Sequence, residues 1–515
     1  MKSSDEQTND SFEQNNPNTK DNKRNRAAGI KVLIPVCATC CVALLVLGIW
    51  KSGLLRRNPG TNNTDGKAGQ ATVTPGETIT TPTPTDTNTT PTPTGTNTTP
   101  TPTDINTTPT PTVSTATPTP TPTEIPVELE KAQELTAGSV GEPADIRKMD
   151  DTMRTAYETF AYKLFAQLPK GESRMISPFS VYVALCMLAN GADGETLAQL
   201  DELLGLTAEE RNAYLVGWLG ELEAFRDSSD TLLANANSVW IHEGMESDVH
   251  KDFLDICAQY FKAGFFSAPM DDSTVRDVNG WVKAKTRNMI DQLLKELSPL
   301  PATILLNAIT FDAKWQEEFD DTLTRDASFY KADGTTVTVD MMQGDVADGY
   351  LENRLATGFI KTYKGGAFSY IALVPKRDVE EVSLDQLLAS LSPESIRSLI
   401  DNKYDITCDV YMPKYESDYG LDLVDVLKEL GVTDVFDEKA DLSRMIGEPE
   451  DGIFVSSVIH KTHISVDAKG TQAAASTAVI TEWKSGPPCV ILDRPFVYMI
   501  VDSEGLPIFL GTYEG

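Results

Sequence analysis

Cysteine and histidine are scarce in this chain, which holds seven cysteines and four histidines among 515 residues. So few cysteines over this length exclude a disulfide-stabilised scaffold. His242 and His250 stand eight residues apart, a spacing that does not form a zinc-binding helix face, and no H-E-x-x-H, G-x-S-x-G or phosphate-binding G-x-x-x-x-G-K-[ST] motif is present. We therefore predict no metal, no cofactor and no enzymatic activity.

Basic residues are also under-represented, with 44 Lys and Arg against 76 Asp and Glu, for a net charge of −32. Residues 1–126 carry ten basic and ten acidic side chains, so the whole excess lies on residues 127–515. Such a surface repels phosphate backbones, and nucleic acid is excluded as a partner. A hydrophobic content of 40% with 23% charged residues is typical of a globular protein.

A long apolar run near the amino terminus predicts a membrane anchor. Residues 1–26 are polar and low in apolar content, so we expect a disordered tail. Residues 32–50 then contain no charge over 19 positions, which is enough for a helix to cross the hydrocarbon core. The alternative is a cleaved signal peptide, but the run is long for one and no small-residue cleavage site follows Trp50.

The charges that flank residues 32–50 predict the orientation of this span. The basic residues before it are Lys20, Lys23, Arg24, Arg26 and Lys31, and those after it are Lys51, Arg56 and Arg57. Because the more basic side stays in the cytoplasm, we predict a single-pass protein of the cell membrane. Its amino terminus is then cytoplasmic, and its carboxy-terminal region is extracellular.

Residues 51–126 form a Thr- and Pro-rich linker. Within them, residues 81–112 repeat TPTPT units with a period of nine. Alternating Thr and Pro offers no apolar face to bury, so an extended polyproline-like chain is expected, spanning about 150 Å over residues 71–124. A stiff stalk of this kind would lift a domain away from a membrane, and a low-complexity spacer without further role is the equally weighted alternative.

Beyond residue 126 the sequence is that of a folded unit. Apolar residues recur at helical spacing over residues 153–168. Ser177 followed by Pro178 is typical of a helix start, so a helix is predicted over residues 179–190. Further predictions are strands over residues 231–242, 303–315 and 454–466, and a helix over residues 421–430. Helices and strands mix without a βαβ rhythm, so we predict one large α+β domain.

The segment after Gly470 is the most informative part of the chain. It is rich in Ala, Ser and Thr, and it leads to Trp483, Lys484 and Ser485 before two prolines break any regular element. Taken alone, this is a small-residue helix or a mobile loop. Lys484 is the single basic residue of residues 470–493, so an exposed loop here would be a trypsin-type cleavage site.

Residues 150–515 resemble the serpin family, the inhibitors that trap serine proteases by inserting a cleaved loop into a β-sheet. The resemblance rests on four blocks in the same order: ISPFSVYVALCMLAN, LNAITFDAKW, VSSVIHKTHISVDAKG and RPFVY. It implies a serpin-like domain over residues 127–515, with large mixed sheets, surrounding helices and an exposed reactive loop at about residues 468–494. It also implies a monomer that acts as a suicide inhibitor of trypsin-like serine proteases.

The resemblance also assigns roles to individual residues. The bond between Lys484 and Ser485 corresponds to the scissile bond, whether counted forward from Gly470 or back from Pro495, and Trp483 is its specificity neighbour. The residues that correspond to the hinge of the loop are Gly470, Thr471, Gln472, Ala473, Ala474, Ala475, Ser476 and Thr477. Those that correspond to the site where the sheet opens are Ser177, Ser180, Asn307, His460 and Trp315.

Two residues depart from the inhibitory pattern. Ala468 and Gln472 stand where inhibitory members commonly have Glu, and the change at Ala468 removes an ion pair expected at the top of the sheet. Neither puts a charge, a proline or a bulky side chain into the stretch that would insert. We therefore favour an inhibitor, with a non-inhibitory surface binding or chaperone-like domain as the alternative.

Overall fold

The computed structural model describes residues 127–138, 143, 145–226, 228–297, 303–377, 382–447, 452–470 and 488–515. The predicted tail, membrane span and linker over residues 1–126 lie outside these ranges, as does most of the predicted reactive loop. Among the helices of the described residues, none is both long and apolar enough to cross a membrane.

Nine α-helices surround the sheets of the described part of the chain. They are α1 (Asp151–Gln167), α2 (Pro178–Gly191), α3 (Gly194–Leu204), α4 (Ala208–Glu223), α5 (Lys251–Phe261), α6 (Asp272–Lys285), α7 (Leu384–Leu388), α8 (Pro393–Asp401) and α9 (Val424–Glu429). Several begin with a side-chain cap that satisfies free backbone N–H groups. Asp150 caps α1, Ser177 caps α2, and Thr207 forms a capping box at α4.

Sixteen strands are present in the same residues. They are β1 (Gln133–Glu134), β2 (Arg174–Ile176), β3 (Thr231–His242), β4 (Gly264–Ala268), β5 (Thr303–Ala313), β6 (Arg325–Tyr330), β7 (Thr336–Asp345), β8 (Gly349–Glu352), β9 (Ala356–Thr362), β10 (Phe368–Pro375), β11 (Asp409–Pro413), β12 (Tyr415–Asp422), β13 (Val455–Val466), β14 (Cys489–Ile491), β15 (Phe496–Asp502) and β16 (Pro507–Tyr513).

The strands form three sheets. The central sheet has the order β1-β4-β3-β5-β13-β12 and is mixed, because β3 pairs with β4, and β5 with β13, in parallel. The second sheet has the order β2-β16-β15-β10-β9-β8, and the third has the order β14-β11-β7-β6. This architecture confirms the predicted α+β class with large mixed sheets and surrounding helices.

Strand β5 is buried on both faces of the central sheet. Leu305, Ile309 and Phe311 belong to the large core that includes α1 and α2, whereas Leu306 and Ala308 belong to a smaller core under α6. This alternation follows from the period of two along a strand. The continuous apolar pattern of β5 therefore reflects a strand covered on both sides, as expected for the middle of a sheet.

An amino-terminal strap, residues 127–136, was not predicted. Its β1 pairs with the edge strand β4, and the backbone N–H groups of Glu130, Lys131 and Ala132 all donate to the carboxylate of Asp277 on α6. Asp277 is 4% exposed. Since a buried carboxylate must be hydrogen-bonded, the strap satisfies a charge that the folded domain holds out of water.

Most predicted elements are confirmed, with one clear error. Strand β3 has the predicted bounds, β5 and β13 differ from the predictions by one or two residues, and α2 starts at Pro178 with Ser177 as its cap. The helix predicted over residues 421–430 is wrong in its first turn, because Leu421 and Asp422 belong to β12. Leu421 pairs there with His460 of β13, a contact that local propensity does not encode.

Candidate functional site

The first part of the candidate site lies at the start of α2. Ser177 caps this helix by accepting the N–H of Ser180, and its own hydroxyl donates to the carbonyl of Ile508 at 2.7 Å. Both serines have no solvent exposure. The start of α2 packs against β16, so both hydroxyl groups lie in the interior, where each has a hydrogen-bond partner.

His460 and Asn307 complete a buried polar cluster with these two serines. The backbone N–H of Ser177 donates to Nε2 of His460 at 3.1 Å, and Nδ1 of His460 contacts Oδ1 of Asn307. The amide of Asn307 donates to the carbonyl of Ser180 at 2.8 Å. Four predicted residues that are far apart in sequence therefore meet across β5, β13 and α2. Their role in sheet opening stays a prediction.

His460 is held neutral within this cluster. Its full burial lowers the pKa from 6.5 to about 3, because the imidazolium would lose its hydration. Since Nε2 accepts a hydrogen bond, Nδ1 carries the proton and donates to Asn307. His460 thus links β13 to β5 and α2 by hydrogen bonding, without acid–base chemistry near neutral pH.

Two asparagines of β3 belong to the same cluster and were missed from the sequence. The hydroxyl of Ser180 donates to Oδ1 of Asn235 at 2.6 Å, and the amide of Asn307 donates to Asn237. The signal was present in the segment ANANS, since residues two apart share one strand face. Two asparagines on the same face of an otherwise apolar strand indicate a buried polar contact.

The pairing between β5 and β13 stops before either strand ends. Their last registered pair is His463 with Thr310. Beyond it, β5 still pairs with β3 as far as Ala313, and β13 still pairs with β12 as far as Val466. The two central strands therefore part at this end of the sheet while each keeps its outer partner. A further strand entering here would find an unpaired strand edge on both sides.

Residues 467–470 close this gap and are anchored by Trp315. The backbone N–H of Trp315 donates to the carbonyl of Lys469 at 2.9 Å, and its indole N–H donates to the carbonyl of Asp467 at 3.0 Å. The backbone N–H of Phe319 donates to the carbonyl of Ala468 at 2.7 Å. Trp315, predicted in the same sheet-opening site as the polar cluster, lies beyond the end of β5, where it holds the chain that leads to the predicted loop.

Gly470 occupies a position that admits no side chain. Its φ is +141°, and a Cβ atom would lie 2.2 Å from the carbonyl oxygen of Ala313. The glycine lets the chain turn against Lys314, with which it forms an isolated β-bridge. Ala468 is 2% exposed and packs in the large core, so its methyl group lies inside at the position where the family pattern has an acid.

The remaining predicted site residues lie outside the described part of the chain. These are Thr471, Gln472, Ala473, Ala474, Ala475, Ser476, Thr477, Trp483, Lys484 and Ser485. The chain on either side of them is described. Gly470 is the last described residue before them and lies next to the central sheet. Pro488 is the first described residue after them and leads into β14, which pairs with β11 in the third sheet. Within the described residues, no group of three or more His, Cys, Asp or Glu is placed to hold a metal ion.

Comparison with known proteins identifies the class that this fold and site define. The profile of the family Serpin (serine protease inhibitor) matches residues 155–514. Neuroserpin of Gallus gallus is 31% identical over 361 residues, which cover 66% of this chain and 85% of that protein. A serine protease inhibitor of Cyanea capillata is 31% identical over 356 residues, covering 67% and 93% respectively.

A solved structure gives the same result. The native state of the thermophilic serpin tengpin superimposes with a TM-score of 0.69 at 34% identity, covering 75% of this chain and 100% of tengpin. The chain therefore belongs to the serpin family, whose members are in general protease inhibitors rather than enzymes. The predicted fold is confirmed, together with the coarser functional prediction of a serine protease inhibitor class.

Proposed function

We propose that this protein is a suicide inhibitor of trypsin-like serine proteases, cleaved between Lys484 and Ser485. The observation that carries the proposal is the parting of β5 and β13 beyond Thr310 and His463, next to the anchored start of the loop at Gly470. A strand that enters this gap pairs on both sides, and strand addition of this kind releases free energy by satisfying backbone donors and acceptors.

The proposed reaction begins as ordinary proteolysis. The catalytic serine of the protease attacks the carbonyl carbon of Lys484, an ester forms, and the amine of Ser485 leaves with the proton that the protease supplies. The free end of the loop then inserts between β5 and β13. Residues 471–484 are 14 residues long, about 46 Å as a strand at ~3.3 Å per residue, so the ester-linked protease is carried that far and distorted before hydrolysis.

The residues proposed to insert fit this role. Alternate positions that would face the core are Thr471, Ala473, Ala475, Thr477, Val479 and Thr481. All are small or β-branched, so they are suited to a buried strand. The core that would receive them already contains the polar cluster of Ser180, Asn307 and His460, which lies under the line along which the two strands would separate.

The test is to mix the full chain with trypsin and look for a complex that survives boiling in SDS. We expect such a complex from the unmodified protein and none from Lys484→Ala. The matched control is Lys469→Ala, which removes the preceding basic residue of the chain and should leave the complex intact. Loss of the complex in Lys469→Ala, or its persistence in Lys484→Ala, would place the scissile bond elsewhere.

Heating the loop-cleaved protein separates an inhibitor from a non-inhibitory binding or chaperone-like domain. Insertion adds a strand to the middle of the central sheet, so the cleaved inhibitor should unfold at a higher temperature than the intact protein, by about 2 °C for each kcal/mol gained in a domain of this size. An unchanged melting temperature together with simple cleavage by trypsin would favour the non-inhibitory domain.

We also propose that the serpin domain is displayed outside the cell on a membrane anchor over residues 32–50. The support is the uncharged run of 19 residues, the excess of basic residues before it and the Thr- and Pro-rich linker that follows. External protease added to intact cells should release the domain by cutting within residues 51–126. Recovery of the full-length chain in the soluble fraction of lysed cells would contradict the anchor.

A further inference from the structure

Lys361 is a buried lysine beside the start of the predicted loop. It lies on β9 and is 1% exposed. Its Nζ donates to the backbone carbonyls of Glu317 and Val346, the second at 3.0 Å. No carboxylate of the described residues lies within ion-pair distance of it. A lysine in such a place is unusual, because an unpaired ammonium group loses its hydration on burial.

The same Nζ contacts the two aromatic residues that hold the chain before the loop. It lies 5.2 Å from the ring centroid of Trp315 and 4.9 Å from that of Phe319. The backbone N–H groups of these two residues donate to the carbonyls of Lys469 and Ala468. Lys361 therefore contacts the two residues whose backbones hold residues 468 and 469, and a change in its charge falls on that anchor.

Burial shifts the balance between the protonated and the neutral amine of Lys361 while residues 467–469 are attached. Desolvation lowers the pKa of Lys361 from 10.5 to about 7, against the opposing effect of Asp348, Glu317 and Glu318. If residues 467–469 detach and water reaches the amine, the pKa returns towards its ordinary value. Opening therefore takes up a proton at any pH between about 7 and 10.5, and by linkage a fall in pH through this window favours opening.

Other ionisable groups face the same region from neighbouring elements. Burial raises the pKa of Asp312 on β5, assisted by Asp467, which precedes the loop. His463 on β13 lies 3.9 Å from Glu416 on β12. Histidine is the residue type that changes charge most readily in the neutral range, so the contribution of His463 has to be separated from that of Lys361 by a variant.

We propose that Lys361 is a positioning residue for the loop. As a neutral amine it packs with Trp315 and Phe319 and keeps residues 467–469 attached, and its protonation promotes their release. The inference deepens the proposed inhibitory function, because release at this point is the first step of loop insertion, and its biological meaning rests on that function. The coupling itself is a property of the native protein that needs no protease.

The experiment is residue-resolved hydrogen exchange of the full chain in detergent micelles from pH 6 to pH 9.5. The exchange rates of the N–H groups of Trp315 and Phe319 are divided by their intrinsic rates, and the N–H of Leu492, which donates to the carbonyl of Tyr411 on β11, is the reference. We expect the derived opening constant to rise up to about tenfold for each pH unit lost between pH 9 and pH 7, and to level off below pH 7. A profile that is flat in the unmodified protein overturns the inference.

Matched variants identify the responsible group. Lys361→Met keeps the apolar stem and Lys361→Gln keeps a neutral donor, so both should give a flat profile, whereas His463→Gln should keep the slope. A slope that survives both changes at Lys361, or that disappears in His463→Gln, overturns the assignment. If neither variant at Lys361 folds, the NMR titration of the Lys361 side chain in the unmodified protein decides: a midpoint near 7 supports the inference and one near 10.5 overturns it.

A parallel assay with trypsin keeps the two proposals distinguishable. Proton-linked exchange without any SDS-stable complex would defeat the inhibitory function and leave the role of Lys361 standing. A normal complex with an exchange profile that does not depend on Lys361 would support the inhibitory function and overturn the role of Lys361.

Discussion

The imidazole of His460 accepts the backbone N–H of Ser177 at 3.1 Å, so a side chain of the central sheet caps the turn that begins α2. This acceptor is lost when Nε2 is protonated. Because the pKa of His460 is lowered to about 3 in the folded protein but is 6.5 in the unfolded chain, the unfolded state binds the proton first as the pH falls. The stability that this group contributes is therefore complete above pH 6.5 and declines as the pH falls from 6.5 towards 3.

Replacing His460 tests this linkage. His460→Gln should remove the pH-dependent contribution of this histidine to the unfolding free energy. Between pH 7 and pH 5 the unmodified protein should therefore lose about 2 kcal/mol more unfolding free energy than the variant. Urea unfolding at pH 7, 6 and 5 measures the difference. His242→Gln, on the exposed end of β3, serves as control and should follow the unmodified protein. Parallel curves for His460→Gln and the unmodified protein would show that the histidine is not held neutral.

Gly470→Ala should detach the chain before the loop. Its added Cβ would lie 2.2 Å from the carbonyl oxygen of Ala313 at a φ of +141°, a conformation that costs about 1–3 kcal/mol for other residues. We expect a lower melting temperature and faster exchange of the N–H of Trp315. Gly280→Ala in α6, where no atom lies within 4 Å of the new Cβ, should instead stabilise the protein by about 0.5–1 kcal/mol. Equal effects of the two changes would contradict the close approach.

Asp277→Asn should loosen the amino-terminal strap. The carboxylate accepts three backbone N–H groups, and an amide presents one acceptor oxygen and an NH2 group that opposes the other donors. We expect a loss of about 2–3 kcal/mol and faster proteolysis within residues 127–138. Asp272→Asn on the same helix, whose carboxylate is exposed, is the control. Unchanged proteolysis of the Asp277 variant would mean that the strap is held by its apolar contacts alone.

Trp483→Ala should broaden the range of proteases that cleave the loop. The indole directly precedes Lys484, so we predict that it excludes proteases whose neighbouring subsite is narrow. Cleavage rates of the two proteins are compared across a panel of trypsin-like proteases, with Trp483→Phe as a variant that keeps an aromatic ring. Equal rates for Trp483→Ala and the unmodified protein with every protease would contradict the prediction.

Local sequence patterns sufficed where an element's own residues decide its structure. Ser177 and Pro178 mark the start of α2 because a hydroxyl cap and a proline act within one turn. Strand β3 was predicted with its observed bounds, since β-branched and aromatic residues dominate its buried half. The helix predicted from residue 421 was wrong at its start because Leu421 pairs with His460 of β13, almost forty residues away in the sequence.

The amino-terminal strap and the burial of Lys361 could not be predicted from local sequence patterns. The sequence of residues 127–136 does not show by itself that they pair with the folded domain. They are held by the carboxylate of Asp277, which lies more than 140 residues further along the chain. Lys361 stands in the segment GFIKTYK, whose alternation leaves open which face of the strand is buried. Only the packing of Trp315 and Phe319 over that face makes the lysine a buried one.

The sequence by itself determined the class of the fold, the family and the residues on which a cleavable loop is proposed, because apolar periodicity, capping residues and motif order are properties of the chain. The tertiary structure decided where β5 and β13 part, what closes the gap and which lysine loses its water. Those are properties of surfaces brought together from distant segments, where burial changes the free energy of a charge by more than any local preference does.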